Sequence, residues 1–391
     1  MWSSSVMVLG TRSHRKLWSK CRASSSSTSA ETIASTDELL TEILARMPLR
    51  SLFRFKCIST HWHSFMSDPN LCHLHTLLNP INSPIYGIFA DDFSFLPFPL
   101  SHDRSSPASS SRNLYDGIWI IHSCNGLLLC RGNDGTRTGT SPYFVVNPTT
   151  NKLSTLRVPP EVTYIIGCHM VFDPSKSPYY KVLCFHTTPK SKEVFQIQIY
   201  SSQTRSWRLL NSSFGKELSS YHDGVYCNGA IHWINKVADM TYYHIDEERF
   251  GFVEGPPQLL QRDWDANMCR YFKESSCGGH LHLIDIYKPC LTKFQVFEMP
   301  RDYSGWFVKY DVELDPECFC GRIRNLDYTT IDILLLDENE EEGSSSMLLH
   351  LPGEVLTCNL KSKSFKYFDL PHPSVLVGKY DYPYRETLAC V

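Results

Sequence analysis

Apolar residues follow two rhythms along this chain, and the change falls near residue 80. Between residues 35 and 70 they recur at helical spacing: Leu39, Leu40, Ile43, Leu44 and Met47, then Leu49, Leu52, Phe53 and Phe55 to Ile58, then Trp62, Phe65 and Met66. Ser35-Thr36-Asp37-Glu38 has the form of a capping box, with Ser35 as N-cap and Glu38 three positions later. Pro48 stops the first helix and pre-sets the turn into the second, and Asp68-Pro69 ends the third. Three short helices are predicted. A unit of this size has a small core, and ordering each residue costs about 1.5 kcal/mol. Docking its apolar faces on a partner would supply the missing burial. The competing reading is a helical hairpin packed on the protein's own body.

From about residue 85 the chain turns to short runs of β-branched, aromatic and leucine residues separated by Asn, Gly, Pro and Ser, which predicts an all-β region. Cys124-Asn125-Gly126-Leu127, Cys227-Asn228-Gly229-Ala230 and Cys277-Gly278-Gly279-His280 are versions of one motif, a tight turn feeding a strand, at offsets of 103 and 50 residues. A period of about 50 residues fits the four-stranded blades of kelch-like propellers. The copy due near 175 reads Cys168 to Pro174 and then Tyr179 to Leu183, strand-turn-strand without the glycine. Blade-sized units fall at 117–158, 165–210, 222–255, 268–314 and 322–370. The leftover pieces 85–100 and 375–388 are expected to share a sixth blade, with Tyr382–Leu388 beside Ile85–Ala90, so that strands from both ends close the ring. An open β-sandwich is the alternative.

Composition narrows the function. A net charge of −3 gives no general reason to bind nucleic acid, and no apolar run approaches the length of a membrane helix. Fifteen cysteines are scattered with no CxxC pair, which favours reduced thiols in cytoplasm or nucleus and argues against a zinc site. Cys318-Phe-Cys320 reads as a buried strand pair. Residues 1–34 are serine-rich and basic, with Arg12, Arg15, Lys16, Lys20 and Arg22 ahead of the first acid, Glu31. They read as a disordered tail, with an organelle transit peptide as the alternative.

Candidate chemistry is sparse. No phosphate loop, GxSxG elbow or HExxH motif is present. His61 and His63 lie on different helix faces. His280 and His282 would share a strand face, but no third ligand is suggested, so they read as core or rim histidines and no metal or cofactor is expected. The acidic run Asp337–Glu342 reads as a solvated hairpin tip, or as a docking site for a basic segment. Ser101–Arg112 reads as a flexible loop open to phosphorylation. Trp119, Trp207, Trp233, Trp264 and Trp306 are expected to stiffen blade cores, with one or two left at a rim.

The run Leu39-Leu40-Thr41-Glu42-Ile43-Leu44-Ala45-Arg46-Met47-Pro48, followed by Ser51 to Ser59 with its Cys57-Ile58-Ser59, then Trp62 and Ser67-Asp68-Pro69, resembles an F-box. It is most similar to those of the large plant family that carries a C-terminal F-box-associated β-propeller domain. One feature departs: Ser35-Thr36 stands where the family usually has Leu-Pro, which implies weaker adaptor binding. The resemblance implies a boundary scheme of 1–34 tail, 35–76 F-box and 85–391 propeller-like domain. It also implies a non-catalytic substrate receptor that binds a Skp-type adaptor, and through it cullin and RING subunits, while the propeller holds an unidentified target for ubiquitination. Residues expected at the adaptor face or supporting it are Leu39, Leu40, Ile43, Leu44, Pro48, Leu52, Ile58 and Trp62. The substrate-binding residues are not identified by the sequence. The alternatives are a propeller enzyme or carbohydrate-binding protein, and a Skp-bound scaffold without ligase activity.

Overall fold

A computed structural model describes residues 36–55, 58–79, 85–98, 115–132, 141–159, 162, 164–188, 191–214, 223–259, 268–276, 278–287, 292–314, 332–339, 344–351, 354–369 and 382–391. The N-terminal tail, Ser35, Cys57, Ser101–Arg112, Trp264, Cys277, Cys318, Cys320 and the acidic residues from Glu340 to Glu342 lie outside these. The chain divides into two compact units, residues 1–44 and 45–391.

Among the described residues four helices come first: α1 (Asp37–Leu44), α2 (Leu49–Phe55), α3 (Thr60–Phe65) and α4 (Pro69–Leu78). The three expected helices are present, and α4 follows them. Asp68-Pro69 ends one helix and begins the next: Asp68 Oδ1 accepts from the backbone N–H of Asn70 at 2.6 Å, and proline at the first helical position lacks only a donor the helix does not need.

The described residues from 85 onward form a ring of six antiparallel sheets. Blade I holds β3 (Ile118–Cys124), β4 (Leu127–Gly132), β5 (Tyr143–Asn147) and β6 (Lys152–Leu156). Blade II holds β7 (Tyr164–Val171), β8 (Lys181–Thr188), β9 (Ser191–Ser201) and β10 (Ser206–Phe214). Blade III holds β11 (Val225–Cys227), β12 (Ala230–Ile234), β13 (Met240–His244) and β14 (Arg249–Val253). Blade IV holds β15 (Met268–Glu274), β16 (Leu281–Tyr287), β17 (Lys293–Met299) and β18 (Phe307–Glu313). Blade V holds β19 (Asp332–Asn339), β20 (Ser344–Leu351), β21 (Glu354–Asn359) and β22 (Phe365–Asp369). Blade VI joins β1 (Gly87–Phe89) and β2 (Phe95–Pro97) to β23 (Tyr382–Tyr384) in the order β2-β1-β23.

The burial patterns explain the stacking. Second strands are largely apolar because each sheet is covered by a blade on either side; β16 is buried over its first six residues, whereas the outermost β14 has no buried residue. The core is accordingly divided among the blade interfaces. Val145 of blade I shares a cluster with Val182 of blade II, Phe185 meets Trp233 edge-on across II and III, and Met240 shares a cluster with Leu283 across III and IV. Val296 and Leu356 belong to one cluster across IV and V, Leu348 and Ile88 to one across V and VI, and Tyr384 and Leu128 to one across VI and I. The last two interfaces close the ring as the sequence leads one to expect. The register Gly87↔Tyr384, Ile88↔Pro383, Phe89↔Tyr382 pairs a narrower segment than Tyr382–Leu388, since the chain leaves the sheet after Tyr384.

Candidate functional site

Helix α1 begins with Asp37 and Glu38 in its first turn, where acidic side chains favour the positive end of the helix dipole. Leu40 N–H donates to Thr36 O at 3.0 Å, and the Thr41 hydroxyl donates back to Asp37 O at 2.8 Å. Four-residue spacing then divides the apolar side chains into two stripes. Leu40 and Leu44 are 1% and 2% exposed, whereas Leu39 and Ile43 are 43% and 45% exposed. The helix therefore carries an unburied two-residue apolar stripe.

The later residues divide in the same manner. Pro48 is exposed at the start of α2, where its carbonyl accepts from Ser51 N–H at 2.9 Å, and Leu52 is buried. Ile58 is the most exposed of the expected residues at 59%. Trp62 is partly buried, set edge-on to Phe55 with ring centroids 5.6 Å apart, and its backbone N–H is capped by Ser59 Oγ. Of the eight expected residues, Leu39, Ile43, Pro48 and Ile58 are exposed, Leu40, Leu44 and Leu52 are buried, and Trp62 is intermediate. Whether a side chain faces solvent or core is a fine difference of helix phase, and the apolar pattern alone marks both classes alike.

Within the 45–391 unit the later helices are fastened to the propeller. His73 Nδ1 lies 3.0 Å from Pro174 O in the β7–β8 hairpin. The Cys390 thiol donates to Ser67 O at 3.3 Å and lies 4.0 Å from the Cys72 sulfur. His75 Nε2 meets Met47 O at 2.9 Å, and burial lowers its pKa, so the ring is neutral and donates that bond. A crevice lined by Leu49, His75, Asn125, Pro174, Glu386 and Leu388 runs along this contact. These fastenings were not foreseen; a histidine in a short helix carries no sign of the hairpin it will meet.

The hairpin rim is built for cohesion. Asn125 and Asn228, the turn residues of two copies of the repeat, each donate to a backbone carbonyl in the next blade, Phe172 O and Gly279 O, both at 2.8 Å. His122 accepts from Met170 N–H at 3.3 Å and donates through Nε2 to Gly224 O at 2.9 Å, so one neutral ring ties three blades together. Desolvation holds its pKa down to about 4, and His232, bonded to Val225 O and the Tyr303 hydroxyl, is held at about 4 in the same way. Arg270 makes a two-pronged bond to buried Asp285 at 2.6 Å per prong and reaches the blade III carbonyls of Asn235 and Lys236. These groups hold blades together and are committed to that task. Of the tryptophans, Trp233 is 1% exposed and stiffens the II–III interface, whereas Trp119 is 48% exposed.

A short helical module leading into a closed six-bladed propeller defines the class. Comparison with known proteins then identifies the two domains. Residues 36–74 match the F-box domain, and residues 100–273 match the F-box associated beta propeller domain. An Arabidopsis thaliana F-box protein is 28% identical over 395 residues, covering 93% of this chain and 92% of its own length. A second Arabidopsis F-box protein, termed putative, is 27% identical over 315 residues, covering 74% of this chain and 82% of its own. An Arabidopsis F-box/kelch-repeat protein is 25% identical over 248 residues, covering 56% and 65%. The chain carries an F-box domain followed by an F-box-associated β-propeller domain. Among the described residues, no helix is long and apolar enough to cross a membrane.

Proposed function

We propose that this protein is the substrate receptor of a Skp–cullin–F-box ubiquitin ligase, with residues 35–76 binding the Skp-type adaptor and residues 85–391 holding the target. The observation that carries the reading is an F-box whose first helix leaves Leu39 and Ile43 side by side and exposed. In this reading Leu39, Ile43, Pro48 and Ile58 touch the adaptor, while Leu40, Leu44, Leu52 and Trp62 hold them in place. The receptor does no bond chemistry; it raises the local concentration of target lysines near the ligase. Cytoplasm or nucleus is the compartment such a complex requires.

Leu39→Asp and Ile43→Asp test the assignment, because both positions are exposed and the fold tolerates them. Each should cut co-purification of a Skp-type adaptor by at least about tenfold, the loss expected at an interface hot spot, with the thermal transition of the protein unchanged. Undiminished binding in both variants would remove α1 from the adaptor face. Recovery of adaptor without cullin would favour the scaffold reading, for which Ser35-Thr36 in place of Leu-Pro is the motive.

A further inference from the structure

At the hairpin rim between blades IV and V, two histidines and two glutamates from three strands converge. His282 opens β16, Glu298 ends β17 and Glu338 closes β19, with one ligand-capable atom of each lying within 4.8 Å of the others. His282 Nε2 is 2.9 Å from Glu298 Oε2 and 3.6 Å from Glu338 Oε1. On the other side of Glu298, His280 Nδ1 is 3.8 Å from Oε1. Lys309, from β18, places its ammonium 2.5 Å from Glu298 Oε2 and 2.7 Å from Glu338 Oε1, and Ser275 Oγ donates to Glu338 Oε2 at 2.8 Å.

Three features mark this as more than an ion pair. The two spacings from His282, 2.9 and 3.6 Å, bracket about 3.3 Å, the edge of a tetrahedron drawn around zinc with bonds of about 2.0 Å. The donor set of imidazole and carboxylate is what borderline divalent transition ions prefer. The charges also match: two carboxylates face one ammonium, whereas a divalent ion with neutral imidazoles leaves no excess. The backbone of β16, β17 and β19 fixes the carboxylates and His282, all nine-tenths buried or more. Lys309 differs, since its side chain is 24% exposed and flexible enough to swing into solvent.

We propose that His282, Glu298 and Glu338 form a binding site for a zinc-class divalent ion, with His280 able to complete it and Lys309 as the resident cation that the metal displaces. Occupied, the site clamps blade IV to blade V at the rim.

The full-length protein, reduced and freed of metal by a chelator, is titrated with Co²⁺ and then Zn²⁺. The expected result is one equivalent of Co²⁺ giving the visible bands of a four-coordinate ion without a thiolate-to-cobalt charge-transfer band, all abolished by Zn²⁺. His282→Gln should abolish the bands. Lys309→Met should bind Zn²⁺ about tenfold more tightly, because the site is no longer filled by its own ammonium. The wild-type spectrum decides the matter even if His282→Gln fails to fold. Absent bands, bands with thiolate character, or a Lys309→Met variant that loses thermal stability without gaining affinity would each overturn the proposal.

Discussion

Glu274 ends β15 at the rim, accepting the Gly279 N–H at 3.1 Å near the Arg385 guanidinium. Desolvation outweighs both and raises its carboxyl pKa to about 7. The folded state therefore keeps a proton that the unfolded chain gives up near pH 4.5, so stability falls as pH rises from there to about 7 and is level beyond. Glu274→Gln never ionises and keeps an acceptor for Gly279. It should match the parent at pH 4 and exceed it by about 1–2 kcal/mol at pH 8, a figure reduced for partial exposure; thermal melts at the two pH values check it. At this scale the sequence was only half legible. Alternation placed His280 and His282 on one strand face, but Glu298 and Glu338 reach them by strand pairing and blade contact, which spacing along the chain does not encode.

The elements were more legible, because turn chemistry is local. Asn125-Gly126 and Asn228-Gly229 hold φ of 45° and 86°, and 49° and 79°, the paired positive values of the commonest hairpin turn. Blade II lacks that signature because Asp173 shapes the turn with its side chain, Oδ1 accepting from Ser175 N–H at 3.1 Å and Ser175 Oγ at 2.6 Å. The outer hairpins repeat another device: Asn151, Arg205, Glu248 and Lys363 occupy equivalent left-handed positions with φ between 50° and 55°. Lys363 is exposed, and Lys363→Gly should raise stability by about 0.5–1 kcal/mol, by relieving a conformation that costs an L-residue about 1–2 kcal/mol. Gly126→Ala should act oppositely and cost about 2 kcal/mol or more; its new methyl would meet Arg385 O at 2.4 Å. Denaturant melts of the two variants give both signs. Asp68-Pro69 ends the third helix as the sequence indicates, but proline after an acidic residue marks both a stop and a start, so the fourth helix is not legible from it.

For the whole molecule, closure of the ring rests on few residues. β23 is three residues long, and the chain beyond it is held by buried Asn147, whose amide donates to Thr387 O at 3.1 Å and Ala389 O at 2.7 Å. Tyr382, Tyr384 and Leu388 are all nearly buried. Removing residues 382–391 should cost about 5 kcal/mol or more at ~1.5–3 kcal/mol per large side chain, comparable with the whole stability of an ordinary domain. Loss of the cooperative thermal transition is the expected outcome; an unchanged transition would show that blades I and V suffice. Closure could be inferred from sequence because two leftover strands at opposite ends each needed a partner. The fastening of the tail to α4 could not, since Cys390 and Ser67 carry no shared pattern.

The three-stranded blade also bears on how the protein is made. β1 leaves the ribosome long before its partner β23. At about 5–20 residues per second the edge of β1 waits roughly 15–60 s for its mate. Throughout that interval the nascent chain offers an open strand that carries Ile88 and Phe89, both destined to be wholly buried. A premature stop codon anywhere between β1 and β23 leaves that edge permanently unmatched.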